Sequence, residues 1–443
     1  MASIKPISGF PEWSPEQKLV EEKFLSKIGR VFQLNGFSPI ETPAVERVGT
    51  LTAKGGNEKE IYKITRLHAS GESSDDNDLA LHFDLTVPMA RYIAQREREL
   101  VFPFKRYQMQ TVWRGERPQA GRFRQFYQCD IDIIGRESLP IVCDAEITAI
   151  MANILRSLAI GDFQIRVNNR KILQGFLSGV GIDQSLHFAV MGCVDKLEKI
   201  GREGVLTGIR EALGDTNFDA SSLLDFLSRE IPLERVADLR SLSTNTLYQE
   251  GIDELAEVVT AALAKGVNAN ELTVDLSIAR GLDYYTGTVF ETRLVKYPEL
   301  GSVCSGGRYE NLVGTFANGN YPGVGMSIGL TRLLSQLFKH KIVAARAQSY
   351  TKFFIVPVSH EGAVLSYAER FASKLRLLNV PCEMSLVQGK LAKHIEYAER
   401  KGVAQIVLIG TDEVTNGTVR VKDLTTREQW DVSIMDEGFF TSH

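Results

Sequence analysis

The sequence predicts an α+β domain on an antiparallel sheet, interrupted by a helical insertion domain and followed by a C-terminal α/β domain. Strand-like alternation in the first part of the chain indicates the sheet, and helical periodicity dominates 171–267. After about residue 345, strand and helix patterns alternate as βαβαβ. We expect domain boundaries at 1–170 with 268–345, at 171–267 and at 346–443.

Composition places the chain among globular proteins. It has 443 residues, 44% apolar and 24% charged, without the roughly 18-residue apolar run of a membrane span. Residues 1–15 lack the basic and apolar blocks of a signal peptide, so we expect a cytoplasmic protein with no membrane partner. Five cysteines without a CxxC pair suggest neither a disulfide framework nor a thiolate metal site. The net charge of -4 gives no hint of a nucleic-acid partner.

The first predicted helix has recognisable ends. Ser14 and Gln17 form a capping box, and Gly36 supplies a left-handed stop. The following GFSPIETPAVE is predicted to be extended because Pro39 and Pro43 disfavour helix in the residues before them.

Further elements follow the same signals. We predict a strand pair joined by a polar, solvated, mobile loop, two longer strands, a helix, and after the insertion two more strands and a helix. The ranges are 60–67 with 79–86, 104–114 and 123–134, 140–159, 272–278 and 285–295, and the GLTRLLSQLF segment at 329–338.

Polar residues share one face of the predicted strands. In 81–86 the apolar residues are Leu81, Phe83 and Leu85, whereas His82, Asp84 and Thr86 lie on the other face. The same split in 126–133 groups Phe126, Gln128, Asp130 and Asp132 against Tyr127, Cys129, Ile131 and Ile133. Ordinary outward-facing polar residues of an antiparallel sheet are the alternative. Short hydrogen-bonding side chains on neighbouring strands favour a binding platform.

A basic segment lies between two of these strands. From Lys105 to Arg124 there are six basic residues and one acid, Glu116, a local charge of +5. Arginine predominates, as expected where phosphate or carboxylate is gripped by two parallel hydrogen bonds. A surface hairpin neutralised by nearby acids is the alternative.

The segment FKRYQMQTVWRGERPQAGRFRQFYQCDIDIIG resembles motif 2 of the class II aminoacyl-tRNA synthetases in its histidyl form. RGLDYYTGTVFE at 280–291 and SGGRYENL at 305–312 resemble the two histidine signatures of that family. GFSPIETPAVE resembles motif 1, and GVGMSIGLTRL at 323–333 resembles motif 3. The motifs occur in order, and the resemblance covers essentially the whole chain.

The resemblance implies a histidine–tRNA ligase with a class II catalytic domain and a C-terminal anticodon-binding domain. Such an enzyme activates L-histidine with ATP to histidyl-adenylate plus pyrophosphate, then transfers histidine to the 3′ end of tRNA(His). Mg²⁺ is expected with ATP, no dedicated protein metal site is expected, and the first helix with motif 1 is expected to form a homodimer.

Site residues are implied by the same resemblance. Arg114 and Arg280 are expected to be catalytic at the α-phosphate. Histidine is expected to contact Asp84, Leu85, Thr86, Arg114, Gln128, Asp132, Arg280, Tyr284, Tyr285 and Tyr309. ATP is expected to contact Arg114, Glu116, Arg122, Phe126 and Arg332, and the tRNA acceptor end Gln119 and Gly121.

Some positions depart from the bacterial pattern. Asp84 and Asp132 are shorter than the glutamates of many bacterial members, and Thr331 replaces the acid that commonly precedes the motif 3 arginine. Two non-enzymatic alternatives remain at this point. One is a synthetase-like regulatory subunit, which generally lacks the C-terminal domain, and the other is a histidine-binding or tRNA-binding module with a dead ATP site.

Overall fold

The computed structural model describes residues 4–53, 58–67, 78–117, 121–214, 218–278, 285–387 and 389–442. The chain divides into two compact units, one of 1–11 with 24–342 and one of 12–23 with 343–443. The finer three-domain boundaries stay a prediction. No helix in the described ranges is both long and apolar enough to cross a membrane.

The first helix, α1 (Pro15–Leu34), begins and ends as predicted. The Ser14 amide donates to Gln17 Oε1 at 3.1 Å, and the Gln17 amide donates to Ser14 Oγ at 3.4 Å. Gly36 has a φ of +75°, where a glycine avoids the Cβ clash of other residues. The predicted capping box and left-handed stop are therefore confirmed.

The larger unit is built on a mixed, mainly antiparallel sheet. Its described strands are β1 (Ser38–Pro39), β5 (Phe104–Trp113), β6 (Gln125–Ile134), β7 (Phe163–Asn169), β8 (Leu272–Val274), β9 (Tyr285–Leu294), β10 (Cys304–Tyr309) and β11 (Gly323–Gly329). Their order across the sheet is β1-β5-β6-β11-β10-β9-β7-β8. The outer pairs β1–β5 and β7–β8 are parallel and the inner pairs antiparallel. The four central strands bring the motif 2 and motif 3 segments side by side.

A small antiparallel sheet contains β2 (Val45–Arg47), β3 (Lys63–Ile64) and β4 (Leu79–Leu81), with helix α2 (Val48–Thr52) between β2 and β3 in the chain. The predicted strand over 79–86 is wrong beyond Leu81, because helix α3 (Thr86–Arg96) begins at Thr86. The Val87 amide donates to Asp84 Oδ1 at 3.1 Å and so caps the first turn. His82, Asp84 and Leu85 are all buried, contrary to an alternating strand. The loop predicted at 70–78 lies outside the described residues except for Asp78.

Helices cover the sheet and form the predicted helix-rich segment. They are α4 (Val142–Leu158), α5 (Arg170–Gly179), α6 (Gln184–Val194), α7 (Leu197–Leu213), α8 (Ala220–Leu227), α9 (Thr246–Ala264) and α10 (Leu330–Lys339). Helix α9 packs on α4 and α5. A Cβ on Gly175 would lie 2.2 Å from the Tyr248 amide nitrogen, so only glycine permits this approach. The helix predicted to follow the glycine-rich strands is confirmed as α10.

The smaller unit confirms the predicted βαβαβ pattern and extends it. Its elements are β12 (Phe353–Pro357), α11 (Gly362–Leu377), β13 (Cys382–Met384), α12 (Leu391–Lys401), β14 (Gln405–Ile409), α13 (Thr411–Asn416), β15 (Thr418–Asp423), β16 (Gln429–Ser433) and α14 (Glu437–Ser442). The parallel strands β13, β12 and β14 are continued by antiparallel β15 and β16, which the sequence patterns had not indicated. Phe353, Phe371 and Phe440 pack together in the core.

Candidate active site

A cavity of about 420 Å³ lies over one face of the large sheet. Small-molecule sites typically enclose about 300–1,000 Å³. Of the described residues predicted to bind histidine, ATP or the acceptor end, all but Leu85 line it: Asp84, Thr86, Arg114, Glu116, Gly121, Arg122, Phe126, Gln128, Asp132, Tyr285, Tyr309 and Arg332. Leu85 is fully buried and precedes the first residue of α3. Residues as far apart in sequence as Asp84 and Arg332 therefore share one cavity.

Strand β6 places four of the lining side chains. Phe126, Gln128, Asp130 and Asp132 all line the cavity. The alternate residues Cys129, Ile131 and Ile133 are fully buried in the core. Because successive strand residues point to opposite faces, the predicted polar and apolar split of this strand is confirmed.

One end of the cavity is acidic. Burial raises the pKa of the Asp84 carboxyl to about 6, and the Val87 amide and Arg114 oppose that rise. Gln128 Nε2 donates to Ser327 Oγ at 2.8 Å and to Asp130 Oδ1 at 3.3 Å. Asp84, Thr86 and Gln128 thus offer oxygen acceptors suited to an ammonium group.

Asp132 is a buried carboxyl of this end with partners on both of its oxygens. Tyr309 Oη donates to Asp132 Oδ1 at 3.0 Å, and the other carboxylate oxygen forms an ion pair with Arg106. Burial raises the pKa of Asp132 to about 7, Arg106 lowers it, and the neighbouring Asp130 raises it. Burial also raises the pKa of Asp130. The Asp132 carboxyl therefore gains or loses its proton near neutral pH.

Two glycines make room for these groups. Gly325 lies opposite Asp132 in the β6–β11 register, and a Cβ there would lie 2.2 Å from Asp132 Oδ1. A Cβ on Gly323 would lie 2.4 Å from Tyr309 Oη. Side chains at either position would occupy the space that the carboxylate and phenol now fill.

The other polar groups of the cavity are rich in arginine. Arg114 Nε donates to the Phe83 carbonyl at 3.0 Å, and its guanidinium carbon lies 5.1 Å from the centre of the Phe126 ring. Arg122 Nη1 lies 3.4 Å from Glu116 Oε2. Arg332 adds a third guanidinium from the first turn of α10. Guanidinium groups bind phosphate oxygens through charge-assisted hydrogen bonds.

The predicted +5 segment is less concentrated than the sequence suggested. Lys105 pairs with Glu146 at 2.5 Å, and Arg106 is buried against Asp132. Of its six basic residues, Arg114 and Arg122 are the ones that line the cavity. Because successive residues of β5 point to opposite faces, Lys105 and Arg106 lie on different sides of the sheet. Both pair with carboxylates of the protein, so they are not part of a phosphate-binding surface.

Thr331, the residue that replaces a common acid, has a structural contact. Its Oγ1 accepts a hydrogen bond from the Tyr127 amide at 2.8 Å. The hydroxyl therefore joins the start of α10 to β6, next to Arg332. Three predicted site residues, Gln119, Arg280 and Tyr284, lie outside the described residues, and their roles stay predictions.

Sequence reasoning missed other cavity residues. Asp130 was placed on the correct face without a role, and Ser327 and Glu291 were not proposed. Arg106 does not line the cavity but pairs with the lining residue Asp132, and it was not proposed either. Ser327 pairs with Asp130 in the β6–β11 register, but the two are distant in sequence. Even-numbered spacing from Arg114 along β5 would have placed Arg106 on the cavity side.

Metal ligands are not clustered in this site. Within the described ranges, no group of three or more His, Cys, Asp or Glu side chains is arranged to hold a metal ion. The five cysteines are free thiols.

Comparisons with known proteins match nearly the whole chain. A family model described as Histidyl-tRNA synthetase matches 9–333, and one described as Anticodon binding domain matches 352–436. The histidine–tRNA ligase of Micrococcus luteus is 42% identical over 97% of this chain and 95% of its own. That of Clostridium tetani is 42% identical over 97% of each chain. A crystal structure of histidyl-tRNA synthetase from Nostoc sp. PCC 7120 matches with a TM-score of 0.91 and 38% identity, covering 100% of both chains.

Proposed function

Because this chain belongs to the histidyl-tRNA synthetase family, we propose that the large-sheet cavity is where it joins histidine to AMP. The chain is a histidine–tRNA ligase with the class II fold of that family and an anticodon-binding domain. It activates L-histidine with ATP and transfers histidine to the 3′ end of tRNA(His). Family membership sets aside the two non-enzymatic alternatives.

The first reaction is an in-line displacement. A histidine carboxylate oxygen bonds to the α-phosphorus while the bond to pyrophosphate breaks. The protein contributes position and charge rather than a nucleophile. Arg114, held by the Phe83 carbonyl at 3.0 Å, is placed to bridge the substrate carboxylate and the α-phosphate. Arg280 is proposed to stabilise the charge that develops there from the opposite side.

ATP is proposed to occupy the arginine-rich part of the cavity. Arg122 and Arg332 would bind the terminal phosphates. Glu116 would accept a hydrogen bond from the adenine amino group, and the Phe126 ring would stack on the adenine ring. The Arg122 to Glu116 separation of 3.4 Å supports this, because it is a loose ion pair that contacts to ATP would replace by stronger ones.

Histidine is proposed to occupy the acidic end. Asp84, Thr86 and Gln128 would accept hydrogen bonds from the α-ammonium group, with the Leu85 backbone beside them. Asp132 would accept an imidazole N–H, with Tyr284, Tyr285 and Tyr309 around the ring. A buried carboxylate left unpaired by the wrong side chain gives strong discrimination, up to about 10⁴-fold.

The observation that carries the proposal is the junction of two chemistries in one cavity. Four buried carboxylates, from Asp84, Asp130, Asp132 and Glu291, and three guanidinium groups line it. Arg114 acts on the Asp84 carboxyl and is also one of the three guanidinium groups. A zwitterionic amino acid and a polyphosphate need these complementary charges next to each other.

The test is histidine-dependent exchange of pyrophosphate into ATP by the purified protein. We expect exchange with L-histidine and Mg²⁺, and none when arginine or glutamine replaces histidine. Wild-type protein without histidine-dependent exchange would refute the proposed site and its chemistry.

Mg²⁺ is proposed to arrive with ATP and to neutralise phosphate charge. The ion is usually held through one or two carboxylates together with phosphate oxygens. Glu116 and Glu291 are carboxylates that line the cavity, so the lining fits such an ion without a dedicated cage.

The remaining partners are proposals of the same kind. Gln119 and Gly121 are proposed to meet the acceptor end of tRNA(His), in a cytoplasmic enzyme. A homodimer formed through α1 and motif 1 is supported by exposed Val45 in that motif and Leu79 beside it in the small sheet. Sedimentation at micromolar concentration should give the mass of two chains, and the mass of one chain would contradict the dimer.

A further inference from the structure

Arg106 is a fully buried arginine on the cavity side of β5. Its side chain has 0% exposure, and it lies directly opposite Asp132 in the β5–β6 register. Its guanidinium forms an ion pair with the Asp132 carboxylate. Burying a guanidinium costs several kcal/mol unless a partner compensates, so an apolar residue would fill this strand position at a lower cost in free energy.

The surrounding charges explain why a cation is needed there. Three groups act on Asp132 directly: Arg106 from β5, Asp130 from β6 and Tyr309 from β10. Tyr285 on β9 acts on Tyr309, and Asp84 and Arg114 each interact with Asp130. Strand β11 contributes Gly325, which has no charge. Carboxylates this close disfavour one another's ionisation. Arg106 is the cation whose guanidinium pairs directly with Asp132.

We infer that Arg106 is a positioning residue for histidine recognition, which holds the Asp132 carboxylate ionised and oriented to accept the imidazole N–H. This inference rests on the proposed function, in which Asp132 contacts the substrate ring. Arg106 itself acts through Asp132 and is not assigned a contact with the substrate.

The geometry separates the two oxygens of Asp132. Oδ2 faces Arg106, whereas Oδ1 accepts from Tyr309 at 3.0 Å. Without Arg106, burial and Asp130 would drive the carboxyl toward its protonated form at neutral pH. A protonated carboxyl gives up the charge-assisted bond to the imidazole, which is stronger than a neutral one.

The test compares the Michaelis constant for histidine in Arg106→Leu and wild type, by pyrophosphate exchange between about pH 6 and about pH 9. We expect the constant at neutral pH to rise about ten-fold or more, as for the loss of a charge-assisted bond. The constant for ATP should stay within about two-fold, because the phosphate-binding arginines are untouched. The deficit should shrink as pH rises and Asp132 ionises. Titration of free histidine is common to all variants and cancels in the comparison.

Lys105→Leu is the matched control. It removes the adjacent basic residue of the same strand, whose ion pair with Glu146 is not part of the cavity lining. Its pH profile for histidine should coincide with that of wild type. Arg106→Lys, which restores the charge without the planar fork, should recover part of the lost affinity.

Asp130→Asn keeps the test decisive if Arg106→Leu does not fold. Removing this like charge should shift the acidic limb of the histidine profile toward lower pH, opposite to Arg106→Leu, by up to about one unit. An unshifted limb in Asp130→Asn, or an Arg106→Leu loss that is independent of pH and equal for histidine and ATP, would overturn the inference.

The outcomes also separate this inference from the proposed function. Wild-type protein without exchange would refute the proposed function. Active wild type, with Asp132→Asn impaired for histidine and Arg106→Leu unchanged, would refute the positioning role alone.

Discussion

Gly325→Ala should impair histidine recognition by displacing Asp132. The added Cβ would lie 2.2 Å from Asp132 Oδ1 and 2.5 Å from the Ile131 carbonyl oxygen. Contact requires about 3.2 Å or more, so the carboxylate must move by about 1 Å. Rotation of the Asp132 side chain does not relieve the clash with the backbone oxygen. The β6–β11 ladder must therefore open as well.

The expected magnitude follows from the contacts that this movement breaks. Losing a hydrogen bond to a charged group costs about 1.5–3 kcal/mol, which corresponds to a rise of about 10-fold to 150-fold in the Michaelis constant for histidine. Overpacking should also lower the free energy of unfolding by about 1–3 kcal/mol. The constant for ATP should change much less, because the closest contacts of the added Cβ are with Asp132 and the Ile131 backbone rather than with Arg114, Arg122 or Arg332.

Histidine-dependent pyrophosphate exchange and denaturant unfolding measure the two effects. Gly49→Ala is the control, because Gly49 is exposed in α2 with no heavy atom within 4 Å of the added Cβ. A Gly325→Ala protein with wild-type constants for both substrates would refute the placement of Asp132 beside the bound histidine ring.

Three further variants test the fold and its ionisation. Asp144→Asn breaks a buried ion pair with Arg308, whose Nε lies 3.0 Å from Asp144 Oδ2, and should lower the free energy of unfolding by about 3–5 kcal/mol in denaturant titrations. A loss below about 1 kcal/mol would contradict that contribution. Thr331→Val leaves the Tyr127 amide without its acceptor at 2.8 Å and should cost about 1–3 kcal/mol in the same assay, and an unchanged midpoint would argue against the bond. Because the folded pKa of Asp132 is raised to about 7, its ionisation destabilises the fold, so stability should fall as pH rises from about 4 through 7, and Asp132→Asn should flatten that slope. An equally steep slope in this variant would exclude Asp132 as its source.

Local patterns predicted much of the architecture. The Ser14 and Gln17 caps, the alternation of β6 and the helical period of α10 depend on neighbouring residues, and each was confirmed. The error at 82–86 arose because a helix cap imitates strand alternation. The pattern predicts Asp84 on the polar face of a strand, whereas it is buried just before α3, where it accepts a hydrogen bond from the Val87 amide.

Long-range contacts set the limit of the sequence reasoning. Charge counting in 105–124 treated Arg106 as part of a phosphate-binding field, whereas its partner is Asp132 on the next strand. The Gln128 bond to Ser327 joins residues that come together only through the β6–β11 pairing. Similarly, the sequence predicted only the βαβαβ part of the smaller unit, whereas β15 and β16 extend its sheet by two further strands. Strand order, rather than composition, decides these contacts.

The central claim is that one cavity has an acidic end for histidine and an arginine-rich end for ATP. Calorimetric titration of each ligand into Asp132→Asn and Arg332→Leu tests it most directly. The account predicts that Asp132→Asn loses histidine affinity and keeps ATP affinity, whereas Arg332→Leu does the reverse. Equal losses of both ligands in both variants, or no loss in either, would contradict it.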